Sequence, residues 1–196
     1  MNLDLVITAL KNRAPFFAGN VAGAAAYARG VSDQVWLPTP AAYVVPLEGE
    51  ASPNDDMGGS NYQRLTERIN VIVQFDNSAD RRGQTVTELY EPVKYQLLGA
   101  ILNWRPNSSI DNPGIVVAGQ PGIDCSSQGI SLVGHGLLDL DLSRLFYRWT
   151  FELISMISDA DGWQPPSVPL TGVSVNDPNP DGTPNGIPFG VTLPQS

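Results

Sequence analysis

The chain has 196 residues, which is enough for one hydrophobic core of good size and too few for two. It carries 11 basic and 20 acidic residues, a formal charge of −9, and the basic residues are scattered, which argues against direct binding to nucleic acid. The single cysteine excludes an intrachain disulfide. No apolar run reaches the ~18 residues of a membrane span, and the first residues lack the basic region of a signal peptide, so we expect a cytoplasmic address.

Two helices are predicted near the start of the sequence. Residues 2–13 carry apolar side chains at helical spacing, Asn2 is a suitable N-cap, and Pro15 enforces the stop. Residues 20–29 are rich in alanine and predict a short helix, although Gly23 weakens this prediction.

A strand and a long loop are predicted next. Residues 41–47 are mostly apolar, and Pro46 places this strand at a sheet edge or makes it a strand end. Residues 48–65 contain proline, glycine, asparagine and aspartate and almost nothing apolar. A loop of this length within a compact domain is usually functional or disordered, so we expect a long mobile loop here.

The middle of the chain predicts the clearest strand and the longest helix. Residues 67–76 alternate apolar with polar side chains, which indicates a strand with one buried face. Residues 86–104 carry apolar side chains at helical spacing, and Arg105-Pro106 ends this helix. Pro92 lies inside the pattern, so the helix is expected to kink or to restart there.

Three further strands complete the predicted fold. They are residues 114–118, residues 138–142, where leucine alternates with aspartate, and residues 144–157, which place large apolar side chains on one face. Since these stripes have period two and strands outnumber helices, we predict an α+β fold. Its mostly antiparallel sheet would have about four to five strands, with helices packed on one face.

We expect residues 1–158 to form one cooperative domain. Its core should contain residues from the apolar faces of the predicted elements. These core residues are Val71, Val73, Phe75, Leu97, Ile101, Trp149 and Phe151.

Residues 159–196 are predicted to form an extended, Pro/Gly-rich C-terminal arm. From residue 161 onward the sequence contains no Lys, Arg or Glu, and its many prolines exclude a helix. Apolar side chains nevertheless alternate within it, which suits addition of a strand to the sheet edge of a neighbouring subunit. The candidate partner-contact residues of the arm are Trp163, Val173, Val175, Ile187, Phe189 and Val191.

Residues suited to catalysis are scarce. His135, the only histidine, lies in Gly134-His135-Gly136 and is interpreted as a structural residue in a turn at a strand edge. Cys125 has no basic neighbour in the sequence to activate its thiol. One histidine and one cysteine cannot close a zinc site, and the glycine-rich phosphate-binding motifs are missing. The sequence therefore predicts no catalytic residue, no cofactor and no metal.

Two carboxylate groups are the remaining candidates for a metal site. Asp139 and Asp141 share a face of a predicted strand, and we interpret them as its solvated side. Together with the acidic segment 54–56 they are the basis of an alternative, a metal-dependent enzyme. Residues 177–182 match the first half of a calcium loop, but loop position 12 falls on Pro188. A solvated turn is therefore favoured over a calcium-stabilised adhesion-like module.

Five segments carry, through their order and spacing, a resemblance to a known family. They are Leu10-Lys11-Asn12-Arg13-Ala14-Pro15-Phe16, Pro40-Ala41-Ala42-Tyr43-Val44-Val45-Pro46, Asp76-Asn77-Ser78-Ala79-Asp80-Arg81-Arg82-Gly83, Leu102-Asn103-Trp104-Arg105-Pro106, and Leu138-Asp139-Leu140-Asp141 leading into Tyr147-Arg148-Trp149-Thr150-Phe151. With them, the chain resembles the tail terminator, or tail completion, proteins of long-tailed bacteriophages. The resemblance covers roughly residues 1–157, and the arm lies outside it.

The resemblance implies a virion structural protein without enzymatic activity. Such a subunit forms a ring, commonly a homohexamer, which caps the tail tube after polymerisation and presents the surface on which the head docks. The implied partners are further copies of the chain, the tail tube protein and the head–tail connector proteins, with no membrane involved. The implied location is the head-proximal end of the virion tail, after assembly in the host cytoplasm.

Two consequences follow from this implied ring. Six copies would carry a formal charge of 6 × −9 = −54, and a negative lumen would let DNA slide past without binding. A head-to-tail connector or a head-closure (stopper) subunit is the alternative, because these are also small ring-forming proteins that DNA only passes through.

Overall fold

In the part of the chain that the structure describes, the fold is a six-stranded β-sheet with three helices. The computed structural model describes residues 1–54, 61–78, 84–106, 129–140 and 143–158. The elements are α1 (Leu3–Arg13), a 3-10 turn (Pro15–Phe17), β1 (Val21–Gly23), α2 (Ala24–Asp33), β2 (Ala41–Pro46), β3 (Glu50–Ala51), β4 (Tyr62–Asp76), α3 (Gln84–Ile101), β5 (Ser131–Leu140) and β6 (Arg144–Ser158).

The strand order is β1-β2-β4-β6-β5, and the two-residue β3 pairs with β4 beside this path. Only the pairing of β1 with β2 is parallel among the described strands, and the other pairings are antiparallel. The predicted α+β class and the mostly antiparallel sheet are therefore confirmed.

α1 begins and ends as the sequence predicts. The Asn2 side chain accepts hydrogen bonds from the backbone N–H groups of Asp4 and Leu5, at 3.1 and 3.3 Å. These N–H groups have no partner inside the helix, so the cap stabilises the helix start. The helix ends at Arg13, two residues before Pro15.

The second helix lies later in the chain than residues 20–29. Residues Val21–Gly23 form β1, which pairs in parallel with β2, and α2 begins only at Ala24. Here the pairing with β2 overrides the local helical preference of the alanine-rich sequence. α2 ends at Asp33, and its C-cap Gln34 adopts a left-handed conformation and donates its backbone N–H to the carbonyl of Gly30.

The prediction of one long loop over residues 48–65 is wrong. Residues Glu50–Ala51 form β3, and β4 begins at Tyr62. β6 pairs with β4 along its whole length, from Tyr62 opposite Ser158 onward. β6 therefore supplies hydrogen-bond partners to the backbone of the first part of β4, whose polar sequence has no apolar stripe of its own. Residues 55–60 lie outside the described part of the chain.

β4 is buried on both faces where the alternating pattern predicted one buried face. Val71 and Val73 pack on the face that carries α1 and α3, as expected. Ile72 is also buried and packs on the opposite face, with Tyr43 and Phe146. α2 lies on this second face and covers it. The expectation that helices pack on only one face of the sheet is therefore wrong.

The predicted core residues are all buried, each with at most 1% of its surface exposed. They are Val71, Val73, Phe75, Leu97, Ile101, Trp149 and Phe151. The same cluster also includes Val6 and Leu10 of α1 and Phe17 of the 3-10 turn, so the first helix is part of the core.

α3 runs through Pro92 without a restart and ends at Ile101, earlier than the predicted end at Trp104. Asn103 follows in a left-handed conformation and donates its backbone N–H to the carbonyl of Ile130 at 2.7 Å. The N–H of Ile130 in turn donates to the carbonyl of Trp104 at 3.0 Å. These two bonds tie the end of α3 to the residues that lead into β5.

β5 and β6 form a long antiparallel pair. β6 is close to the predicted strand 144–157, but β5 begins at Ser131, well before the predicted start at residue 138. Residues 134–136, expected in a turn, therefore lie inside β5. Two register shifts, between Leu132 and Gly134 and between Leu137 and Asp139, break the alternation that would have revealed the strand. The predicted strand 114–118 lies outside the described residues.

Candidate partner-contact surface

β5 forms one edge of the sheet. It pairs with β6 on one side, and no other described strand lies on its outer side. The opposite edge is β1, which has 3 residues, whereas β5 has 10. Edge strands present backbone groups that can pair with another chain, and proteins often limit this by keeping them short. β5 is therefore the edge better suited to contact with a partner.

Large apolar side chains are exposed along β5. The exposed fractions are 52% for Val133, 54% for Leu137 and 39% for Leu138. Val133 and Leu138 are the residues skipped by the register of β5 with β6, so each lies at a bulge. Exposed apolar groups of this kind, when contiguous, mark contact surfaces. We call Val133, His135, Leu137 and Leu138, together with Tyr90 of α3, the β5-edge surface.

Tyr90 and His135 join α3 to the edge strand. The Tyr90 hydroxyl lies 2.9 Å from Nδ1 of His135. The Tyr90 ring is stacked on Trp149, with centroids 5.7 Å apart, and lies 4.9 Å from the ring of Tyr147. Desolvation raises the pKa of the Tyr90 hydroxyl above its ordinary value, and this hydroxyl donates to Nδ1 in the tautomer whose Nδ1 carries no proton. Aromatic groups held in this way are typical of the residues that dominate protein interfaces.

Two glycines in β5 leave space beside the strand. Gly134 and Gly136 flank His135 and lie opposite Thr150 and Arg148 of β6. A Cβ atom at either glycine would meet nothing within 4 Å, so close packing within the chain does not require glycine here. Glycine inside a strand often marks a site that another backbone approaches closely, and this space is open to a partner.

Charge is unevenly distributed along the sequence. The described residues contain 10 acidic and 9 basic side chains, a net charge of −1. The remaining segments contain 10 acidic and 2 basic side chains, a net charge of −8, which together with −1 gives the −9 of the whole chain. The β-sheet and its helices are thus close to neutral, so like-charge repulsion opposes their association with further copies only weakly.

The residues predicted from sequence to contact partners all lie outside the described part of the chain. They are Trp163, Val173, Val175, Ile187, Phe189 and Val191. Cys125, Asp141 and residues 177–182 also lie outside it. His135 and Asp139 both lie on β5 but on opposite faces, since His135 is opposite Trp149 and Asp139 is opposite Phe146. Sequence reasoning did not find the β5-edge surface.

Within the described ranges, no group of three or more His, Cys, Asp or Glu side chains is arranged to hold a metal ion. None of the three described helices is long and apolar enough to cross a membrane.

The fold and the β5-edge surface define a class of protein, a small α+β subunit with an apolar sheet edge suited to contact with other chains. Residues 1–160 match the model of the phage tail terminator protein family, and the chain belongs to this family. The resemblance inferred from the sequence is thereby confirmed, and the chain is a structural protein of the phage tail. No curated protein matches the chain.

Proposed function

We propose that the chain terminates the phage tail by forming a ring that caps the tail tube and provides the surface on which the head docks. The observation that carries this proposal is the match of residues 1–160 to the tail terminator family. The ring is a homo-oligomer, and six copies are the number that the family resemblance implies. Its location is the head-proximal end of the tail, and it assembles in the host cytoplasm.

The β5-edge surface supports contact between copies. It combines a 10-residue edge strand with apolar side chains and with the Tyr90–His135 pair. A surface of this kind that meets a different surface on the next copy makes a heterologous contact, which closes into a ring when the rotation between copies allows it. β1 and the helices of the next copy offer such a different surface, because β1 lies at the opposite edge of the sheet.

Residues 159–196 complete the contacts in this proposal. Ordering a backbone costs roughly 1–2 kcal/mol per residue, and fully burying a large apolar side chain returns about 1.5–3 kcal/mol. The ordering cost summed over this segment exceeds what its apolar side chains return, so we propose that it orders against the surface of another chain. The alternating pairs Val173/Val175 and Ile187/Phe189 suit strand addition, and the outer side of β5 in a neighbouring copy is the acceptor that we propose.

The protein acts through its surfaces and not through catalysis in this proposal. Its one histidine is engaged with the Tyr90 hydroxyl, and the family is a structural one. His135 and Asp139 lie on opposite faces of β5, which does not favour an acid–base or metal pair between them.

DNA passes through the lumen of the proposed ring without binding to it. Neither the described residues, with a net charge of −1, nor the remaining segments, with −8, carry a net excess of cations. Since affinity for DNA depends mainly on cations that neutralise phosphates, we expect no retention of DNA at physiological salt.

The purified chain should be mixed with growing tail tubes and imaged by negative-stain microscopy. We expect extra density at one end of each tube and tubes that no longer elongate when more tube protein is added. A head-to-tail connector or stopper would instead leave tube elongation unchanged and bind to the head side. Tubes that elongate normally and carry no added density would contradict the proposed function.

A further inference from the structure

The exposed side of α3 carries large apolar side chains. Tyr95 is 66% exposed and Leu102 is 44% exposed. The backbone N–H of Leu102 donates to the carbonyl of Leu98, so Leu102 continues the last turn of the helix. Gly99 lies between the two large side chains and is also exposed. Because residues three and four positions apart are neighbours on a helix, these three residues form one surface, which we call the α3 seam (Tyr95, Gly99 and Leu102).

Gly99 leaves a gap in the middle of the α3 seam. A Cβ at this position would meet nothing within 4 Å, so packing within the described part of the chain does not require glycine here. Glycine inside a helix costs about 1 kcal/mol relative to alanine. In return it lets another backbone come close between the side chains of Tyr95 and Leu102. The α3 seam therefore has a shape that can receive a second helix.

The α3 seam is continuous with the β5-edge surface. Nζ of Lys94 lies 5.8 Å from the ring centroid of Tyr90, which belongs to the β5-edge surface, and 5.1 Å from the ring centroid of Tyr95. Lys94 also donates a hydrogen bond to the carboxylate of Glu91 at 2.7 Å, so the positive charge between the two surfaces is balanced. Together the two surfaces form one region that runs from α3 to the edge of the sheet.

The exposed side of α2 has the complementary shape. Surface helices usually direct charged and polar residues to solvent. On α2 the exposed residues instead include Ala25, Ala28 and Val31, and Val31 is 56% exposed. Each lies three positions after the one before, so adjacent members are neighbours on the helix surface. We call these three residues the α2 patch. Its small side chains allow a second helix to approach closely and leave room for large side chains such as those of the α3 seam.

The α3 seam and the α2 patch lie at opposite edges and on opposite faces of the sheet. α2 packs on β1 and β2, and its partly buried side chains join the cluster of Tyr43 and Phe146. α3 packs on the other face, where its Tyr90 reaches His135 of β5. One copy therefore cannot place its own α3 seam on its own α2 patch. Contact between these two surfaces requires two copies.

Charges beside the two surfaces are complementary. Glu88 is exposed on α3, two turns before Tyr95 and on the same side of the helix. Arg29 is exposed on α2, next to Ala28. Neither charge belongs to an ion pair among the residues that the structure describes. Opposite charges at the border of an interface favour the correct partner and speed its encounter.

We propose that the α3 seam of one copy packs against the α2 patch of the next copy. This inference rests on the proposed ring and deepens it by naming the two helices that meet between neighbours. Each copy uses α3 towards one neighbour and α2 towards the other, so the contact is heterologous. Contacts of this kind close into rings when the rotation between copies allows it.

Opposite charges placed on the two surfaces test this pairing. Tyr95→Glu and Val31→Lys each introduce a charge into the contact, so either variant alone should associate about tenfold more weakly than the wild-type chain in sedimentation velocity. An equimolar mixture places the glutamate of one variant against the lysine of the other. Its association should return to within about threefold of the wild-type value. Both positions are exposed, so the melting temperatures should change little.

The mixture distinguishes this contact from other occupants of the α3 seam. If the seam met a second α3 seam or only a different protein, Val31→Lys would associate normally and the mixture would not recover. Either result would overturn the proposal, as would undiminished association of Tyr95→Glu. Leu47→Lys, which lies outside both surfaces, is the control and should associate like the wild-type chain.

Crosslinking tests the same contact in the assembled protein. In a chain with Cys125→Ser, Leu102→Cys is combined with Ala28→Cys, and mild oxidation follows. We expect a ladder of covalent oligomers, and none when Leu47→Cys replaces Ala28→Cys. Rings that form without this crosslink would overturn the inference and leave the proposed ring standing. A chain that stays monomeric would contradict both, whereas a ladder without capping of tail tubes would support this contact and contradict the proposed function.

Discussion

Two helical glycines differ in what surrounds them. A Cβ at Gly99 of α3 would meet nothing within 4 Å, whereas a Cβ at Gly30 of α2 would enter the Trp36 ring. Gly99→Ala should therefore raise the free energy of unfolding by about 0.5–1 kcal/mol, through helix propensity alone. Gly30→Ala should lower it by about 1–3 kcal/mol, since the overpacking outweighs the same gain. Urea denaturation of both variants measures the two values, and stabilisation by Gly30→Ala would show that the Trp36 ring does not lie against Gly30.

The phenylalanines of the central strands report on the register of the sheet. Phe75 and Phe151 are at most 1% exposed, so replacing either with alanine should lower the free energy of unfolding by about 3–5 kcal/mol. Tyr62 of β4, which is 47% exposed, is a matched control whose replacement should cost far less. A loss below about 1 kcal/mol for Phe75→Ala would mean that its side chain faces solvent, as it would after a shift of one residue.

Among the elements, β5 bears most directly on assembly. Leu137→Lys places a charge on a side chain that is 54% exposed, so the melting temperature should change little. Association between copies should weaken strongly, because the lysine would be desolvated in the contact. Sedimentation velocity over a range of concentrations measures this. Leu47→Lys, at a 40% exposed side chain outside β1, β5 and the helices, is the control and should associate like the wild-type chain. If both variants associate equally well, β5 is not the contact.

Sequence patterns located the elements whose signals are local. α1 carries its own cap and stop, and β6 carries a long uninterrupted stripe, so both were predicted near their observed bounds. β1 and the first part of β4 were missed because partner strands satisfy their backbones, and a sequence does not show its partners. The class of fold depended on the overall alternation and was therefore predictable.

The candidate surface was harder to predict for a related reason. The bulges at Val133 and Leu138 interrupt the alternation of β5, and glycines on both sides of His135 favour a turn by composition. The apolar residues Leu132, Val133, Leu137 and Leu138 around that triplet were the available signal. Read as one strand with two bulges, they would have indicated an apolar edge.

At the scale of the whole molecule, the family match covers residues 1–160 and leaves out most of the Pro/Gly-rich segment. Deleting residues 161–196 should therefore leave the fold and the melting temperature nearly unchanged, because the described core draws on residues before this point. Assembly should weaken, since the deletion removes the proposed strand addition. Calorimetry and sedimentation of the truncated chain measure the two effects separately. Failure of the truncated chain to fold would show that the segment belongs to its own core.

The claim that copies of this chain close into a ring is tested most directly by native mass spectrometry of the full-length protein. With a chain mass of 21.0 kDa, six copies give 6 × 21.0 = 126 kDa. We expect one discrete closed species of this mass, whose share grows with concentration while its size stays constant. A chain that remains monomeric at every concentration, or an open-ended series of masses, would contradict the proposed ring.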